Sequence, residues 1–206
     1  MHDKKVISAG KPLAEASKAL IMLHGRGANA NDILQMAAYL NVNEFALLAP
    51  EATNNTWYPY SFMSPLLHNE PWVTSALALV QNIVNDIEKA GIAKSDIYFM
   101  GFSQGACLTL EYVTRNAAKY GGVAAFTGGL IGAEIDSINY SGNFDQTPIF
   151  IGTSNPDPHV PVGRVYETET ILKQMNGNVR VKVYPGMGHM INQNELDSAN
   201  AWVFGE

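Results

Sequence analysis

The chain has 206 residues, 47% of them hydrophobic and 16% charged, with a formal net charge of −6. That length fits one domain with a substantial core, and an acidic balance without any basic run argues against a nucleic-acid partner, because phosphate contacts need clustered Lys and Arg. No apolar stretch reaches the roughly 18 residues that span a bilayer, the start Met1-His2-Asp3-Lys4-Lys5-Val6 lacks a secretory apolar core, and the lone cysteine, Cys107, excludes an internal disulfide, so a cytoplasmic chain without a stable membrane anchor is expected.

Residues 5–8 read as an antiparallel edge strand, and residues 18–23 (KALIML) as the first strong strand. Residues 29–40 follow as a helix, which Asn29 or Asn31 can cap. Residues 45–49 form the next strand, stopped by Pro50. Residues 51–71 have no clear period, and an irregular segment of that length in a compact domain is usually functional. Residues 72–90 read as a helix with Gly91 at its C-terminal cap. Then come a strand at 97–100, a helix from Ser103 to about Asn116, and a strand at 123–127 ending in Gly128-Gly129. The chain closes with a strand at 148–152, a helix at 162–175, a strand at 179–184 and a helix at 192–204. Strands alternating with helices imply a mostly parallel central sheet with helices on both faces. The strands are near-continuous apolar runs, as covering of both faces demands. No repeat, low-complexity tract or linker divides residues 1–206, and no separate lid domain is expected.

Gly101-Phe102-Ser103-Gln104-Gly105 lies between one strand and its following helix. Strand, G-x-S-x-G, helix is the context of a nucleophile elbow. The turn is so tight that the serine is strained and its neighbours two residues away must be small. Ser103 Oγ then projects at the carboxyl end of a parallel strand, where sites form in such sheets. A serine needs a base, normally histidine, held by a carboxylate. Where this elbow occurs the chain order is Ser, Asp or Glu, then His. Of five histidines, His2, His24, His68, His159 and His189, only the last two follow Ser103. His189 leaves the strand 179–184 in Gly186-Met187-Gly188-His189 and is the expected base. Asp157 leaves the strand 148–152 and is the expected acid. Asp136 and Asp145 precede that strand, and Asp197 lies inside the last helix. His159, two residues after Asp157, is too close to lie easily between it and Ser103, and reads as a loop or rim residue.

Leu23-His24-Gly25-Arg26-Gly27 follows the first strong strand. An H-G-x-G turn there supplies one backbone N–H of an oxyanion hole, and the residue after the nucleophile supplies the other. The expected donors are Arg26 and Gln104, with Gly25 the alternative to Arg26, while the His24 side chain braces the loop. Cys107 reads as core.

LHGRGAN (23–29), GFSQGA (101–106), DPHVP (157–161), GMGH (186–189) and APEATNNTWYPYSF (49–62) together resemble the carboxylesterase/phospholipase family of small α/β-hydrolases, which includes the acyl-protein thioesterases. The resemblance runs from about Leu20 to Phe204. It implies an α/β-hydrolase fold and a cofactor-free serine hydrolase acting on esters or thioesters, with the triad on Ser103, Asp157 and His189. Arg26 departs from the pattern, since many members carry an apolar residue there. Its side chain reads either as solvent-facing or as a guanidinium at the site's rim, able to pair with a substrate carboxylate or phosphate. Trp57, Tyr58, Phe62, Met63 and Leu66, with Tyr60 and Leu67, are expected to line an acyl pocket. His68 and Glu70 lack a second cluster of ligands, so no metal is expected. The alternatives are cyclic-ester (dienelactone-type) opening or acyl transfer to another acceptor on the same triad, and a non-catalytic ligand-binding protein. The partner is a small ester or thioester, and the chain a monomer or homodimer.

Overall fold

A computed structural model describes residues 1–205. The strands are β1 (Val6–Gly10), β2 (Lys18–Leu23), β3 (Phe45–Pro50), β4 (Ile97–Phe102), β5 (Gly122–Phe126), β6 (Pro148–Asn155) and β7 (Asn178–Pro185). They form one sheet in the order β1-β3-β2-β4-β5-β6-β7. β1 is antiparallel to β3 at one edge, and every other neighbouring pair is parallel. The helices are α1 (Ala30–Leu34), α2 (Leu66–Asn69), α3 (Trp72–Lys89), α4 (Gln104–Arg115), α5 (Val162–Gln174) and α6 (Gln193–Ala199). No described helix is long and apolar enough to cross a membrane.

The period-two alternation of each strand divides the core between the two sheet faces. Ala19, Ile21 and Leu23 of β2 pack with Ile97 and Phe99 of β4 under α3, α4 and α5. Leu20 and Met22 pack with Tyr98 and Met100 on the other face, under α1 and α6. Helix α3 buries Val73, Ala76, Leu79, Val80, Ile83, Val84 and Ile87, a pattern recurring every three to four residues, so one stripe faces the sheet.

Of the differences from the sequence expectation, three shape the architecture most. The helix expected over 29–40 is α-helical only to Leu34 and continues as a 3-10 turn, Gln35–Tyr39. Asn29 is its cap: its side chain accepts from the N–H groups of Asn31 and Asp32, and the Asp32 carboxylate accepts from the Asn29 N–H. The last helix ends at Ala199 and widens into a π-turn, Asn200–Phe204. β6 runs three residues past Gly152, paired with β7 as far as Asn155 against Pro185. That extension sets the two following loops side by side at the carboxyl edge of the sheet.

Candidate active site

The elbow is built from the bottom of β4 upward. Leu23 pairs with Gly101, and Phe102 with Phe126, so Ser103 emerges between the ends of β2 and β5. Its N–H donates to the Phe126 carbonyl at 2.9 Å, and its carbonyl accepts the first bond of α4, from Cys107, at 3.0 Å. The cost is a serine at φ 54°, ψ −118°, a strained conformation held only by surrounding structure. Both flanking glycines are compulsory. A Cβ on Gly105 would overlap the Leu23 carbonyl, and one on Gly101 would overlap the Gly105 carbonyl.

Asp157 and His189 arrive on adjacent loops. The Gly186 N–H donates to the Asn155 carbonyl at 3.0 Å, and the Gly188 N–H to Ser154 Oγ at 2.9 Å. These two bonds clamp the β7 loop to the β6 loop. The Asp157 side chain is fully buried. Its Oδ1 accepts from the N–H groups of His159 (2.7 Å) and Val160 (2.8 Å), and its Oδ2 from His189 Nδ1–H (2.9 Å). Burial favours the neutral acid, but the two backbone donors and His189 favour the anion more, so the carboxyl lies below its usual range. An ionised carboxylate only accepts, so Nδ1 carries the imidazole proton and Nε2 presents its lone pair. Ser103 Oγ–H donates to that Nε2 at 2.7 Å. The three side chains thus form one hydrogen-bonded line.

The competing acids and base fall elsewhere. Asp136 caps a 3-10 turn, Asp145 pairs with Lys119 at 3.4 Å, and Asp197 accepts from Gln193 within α6. The ring of His159 stands edge-on to His189, with centroids 4.8 Å apart, at the rim. Cys107 is buried, and burial pushes its thiol up to about 12.

The H-G-x-G turn lies beside the serine. His24 is fully buried. Its Nδ1–H donates to the Gly25 carbonyl (2.8 Å) and its Nε2 accepts from the Ala52 N–H (3.1 Å), so it ties the turn to the segment after β3. Burial holds its pKa below 6.5, which keeps it neutral. Among the described residues, the backbone N–H groups of Arg26 and Gln104 make no hydrogen bond. Both residues line the cavity that also contains Ser103.

A cavity of about 540 Å³ opens over Ser103, lined by Arg26, Tyr58, Pro59, Tyr60, Ser61, Phe62, Gln104, His159 and His189. Four of the residues expected in the acyl pocket are elsewhere. Trp57 is fully buried, and its Nε1–H donates to the His24 carbonyl at 2.9 Å, which turns the indole into the core. Met63 packs against the core. Leu66 lines a separate hollow with Ile131 and Gly132, and Leu67 is 81% exposed. Within the segment Trp57 anchors it downward, and residues 58–62 line the cavity.

Polar side chains, of which only Arg26 carried a sequence signal, hold this wall in place. Gln104, 6% exposed, donates from Nε2 to the Tyr58 carbonyl (2.8 Å) and accepts at Oε1 from the Trp57 N–H (2.9 Å). Asn69 accepts from the Tyr60 N–H (2.8 Å) and donates to the Ser61 carbonyl (2.9 Å). His2 accepts from the Thr53 N–H (3.1 Å) and donates to the Trp57 carbonyl (2.9 Å). The Arg26 guanidinium reaches the Thr56 hydroxyl (3.0 Å) and the carbonyls of Pro59 (3.0 Å) and Tyr60 (2.7 Å). It is exposed and at the rim, yet three of its donors already grip the wall.

A parallel sheet with an elbow at its central strand, and partner loops at the same edge, defines the α/β-hydrolase fold. Comparison with known proteins narrows this. The family model for phospholipase/carboxylesterase matches residues 2–203. The chain belongs to that family, which places it among hydrolases of esters or thioesters. It is 26% identical over 215 residues to acyl-protein thioesterase 1 of Saccharomyces cerevisiae, covering 91% of this chain and 92% of that one. It is 30% identical to acyl-protein thioesterase 1 of Gibberella zeae over 144 residues, 67% of this chain and 60% of that one. Among solved structures it is similar to a phospholipase/carboxylesterase from Dyadobacter fermentans, with a TM-score of 0.98 and 56% identity over 98% of this chain and 97% of that one. Arabidopsis thaliana SOBER1 shares the fold, with a TM-score of 0.77 at 21% identity over 91% of this chain and 97% of that one.

Proposed function

We propose that the chain is a serine hydrolase that cleaves carboxylic esters or thioesters through an acyl-enzyme on Ser103, acting as one α/β-hydrolase domain over residues 1–206. The observation that carries this reading is the line of bonds from Ser103 Oγ to His189 Nε2 (2.7 Å) and from His189 Nδ1 to Asp157 Oδ2 (2.9 Å). As Ser103 Oγ attacks the acyl carbon, His189 Nε2 takes its proton. Asp157 stabilises the resulting imidazolium and fixes the tautomer. The N–H groups of Arg26 and Gln104 receive the oxyanion, each such donor being worth about 100- to 1000-fold in rate. His189 then protonates the leaving alcohol or thiol. Water, deprotonated by the same nitrogen, attacks the acyl carbon and releases the acid. The acyl group occupies the cavity that contains Ser103, against Tyr58 and Phe62, so those two keep the substrate-binding role proposed for the segment.

The test is labelling by a fluorophosphonate probe together with turnover of p-nitrophenyl acetate and butyrate. Ser103→Ala is expected to abolish labelling and to leave only the residual turnover that oxyanion hole and binding supply. A variant that labels or turns over like the wild type overturns the assignment. A folded wild type that does neither points instead to a ligand-binding protein.

A further inference from the structure

Two cavities meet at His189. One contains Ser103 Oγ. The other, of about 400 Å³, lies between α1, the turn at 35–39, the end of β4 and residues 189–191. Its walls include Ile33, Met36, Phe102, Met190 and Ile191. The Phe102 ring packs against the His189 ring with centroids 5.4 Å apart, so the imidazole forms part of an apolar wall. Gly25 also lines this cavity. A Cβ there would stand 3.2 Å from the Phe102 ring and 3.6 Å from Ser103 Cβ. Gly25 therefore borders the second cavity with bare backbone, close to both Phe102 and Ser103.

The two cavities differ in charge. Arg26 borders the first. The second is bordered by Asp32, whose carboxylate already accepts from the Asn29 N–H at 2.9 Å. His24, also in its lining, is held neutral by burial. An anion is disfavoured beside Asp32, and an uncharged apolar group is favoured.

Resting on the reading above, we propose that this second cavity is the leaving-group subsite, taking an uncharged alkyl or aryl group carried on the ester oxygen or thioester sulfur. In the acylation step the bond from Ser103 Oγ to the acyl carbon forms and the bond from that carbon to the leaving oxygen or sulfur breaks. The leaving atom takes from His189 Nε2 the proton that came from Ser103. The acyl carbon is bound to Ser103, so its substituent starts in the cavity that contains the serine. The leaving atom must lie against His189, so its substituent continues past the imidazole, into the cavity that His189 borders and Ser103 does not. Two methionines in that wall adapt to groups of different shape.

The experiment uses two ester series on the full chain: acetates of methanol through hexanol, and methyl esters of acetic through hexanoic acid. In the wild type, kcat/KM along the alcohol series is expected to rise about fourfold per methylene until the cavity is full, the equivalent of about 0.8 kcal/mol of burial. Met36→Trp fills the cavity. Met190→Asp, at a side chain that is 55% exposed, places a charge in it without threatening the fold. In either variant the alcohol slope is expected to collapse while the acyl slope persists. A slope is a ratio within one variant, so a general loss of activity cancels. Loss of the acyl slope instead overturns the proposal, and so does retention of both slopes. A wild type that labels at Ser103 and hydrolyses the acyl series but is flat in the alcohol series overturns the subsite alone. Absence of labelling and of turnover overturns the serine-hydrolase reading and the subsite with it.

Discussion

Gln104→Ala isolates a role that its position beside Ser103 conceals. The substitution keeps the backbone N–H, so the proposed oxyanion donor survives. It removes the amide that accepts from the Trp57 N–H at 2.9 Å and donates to the Tyr58 carbonyl at 2.8 Å. Trp57 and Tyr58 are 0% and 1% exposed, so water cannot replace the lost partner. Each buried polar group left without one costs about 1–3 kcal/mol. The two groups share one loop, so the combined cost is put at about 3 kcal/mol rather than the full sum. For a chain of this size that lowers Tm by roughly 6–12 °C. Urea unfolding followed by tryptophan fluorescence is the assay, with thermal melts beside it. Activity is expected to fall mainly through KM, because residues 58–62 form the cavity wall. Arg26→Ala loosens the same wall from the other side, so the double variant should lose less than the two single losses combined. A Tm within 2 °C of wild type, or strict additivity with Arg26→Ala, refutes the reasoning.

Asp157→Asn presents an amide where His189 needs an acceptor, and kcat is expected to fall about 10⁴-fold, as a displaced tautomer costs in such triads. Its stability effect has a defined sign. The native Asp157 pKa lies below the unfolded value, so its contribution is complete above about pH 3.9 and is lost as pH falls through the native pKa; acid melts of the variant should be flatter in that range. Glu195 is fully buried, and burial raises its carboxyl to about 7. Its neutral form is therefore favoured on folding, a contribution present below about pH 4.3 and lost as pH rises toward 7. Glu195→Gln should raise Tm more at pH 8 than at pH 5, and an equal shift at both would contradict this. Arg26→Ala should lower kcat/KM on neutral and anionic esters alike, because its donors hold carbonyls of the wall; a loss confined to anionic esters would show a substrate-pairing role instead.

The sequence by itself determined the sheet and the order of the site. Strand runs such as KALIML are apolar throughout because both faces are covered, and that pattern is local. β2 occupies residues 18–23, the bounds read from it. The elbow motif is a five-residue signal, although only Gly101 answers to a clash within its own turn and Gly105 answers to the neighbouring strand β2. That Asp157 and His189 would lie beside Ser103 was legible because the parallel strands put their carboxyl ends at one edge. Tertiary structure alone decided which way segment 51–71 faces. Its aromatics read as a pocket lining, yet Trp57 turns into the core and Met63 and Leu66 leave the cavity. The reason is that its conformation is fixed by bonds from His24, Gln104 and His2, residues up to 55 positions away in sequence. Such bonds leave no period and no spacing in the chain. The Arg26 guanidinium is the same case: the motif left it between solvent and the rim, and only the folded loop supplied the carbonyls it holds.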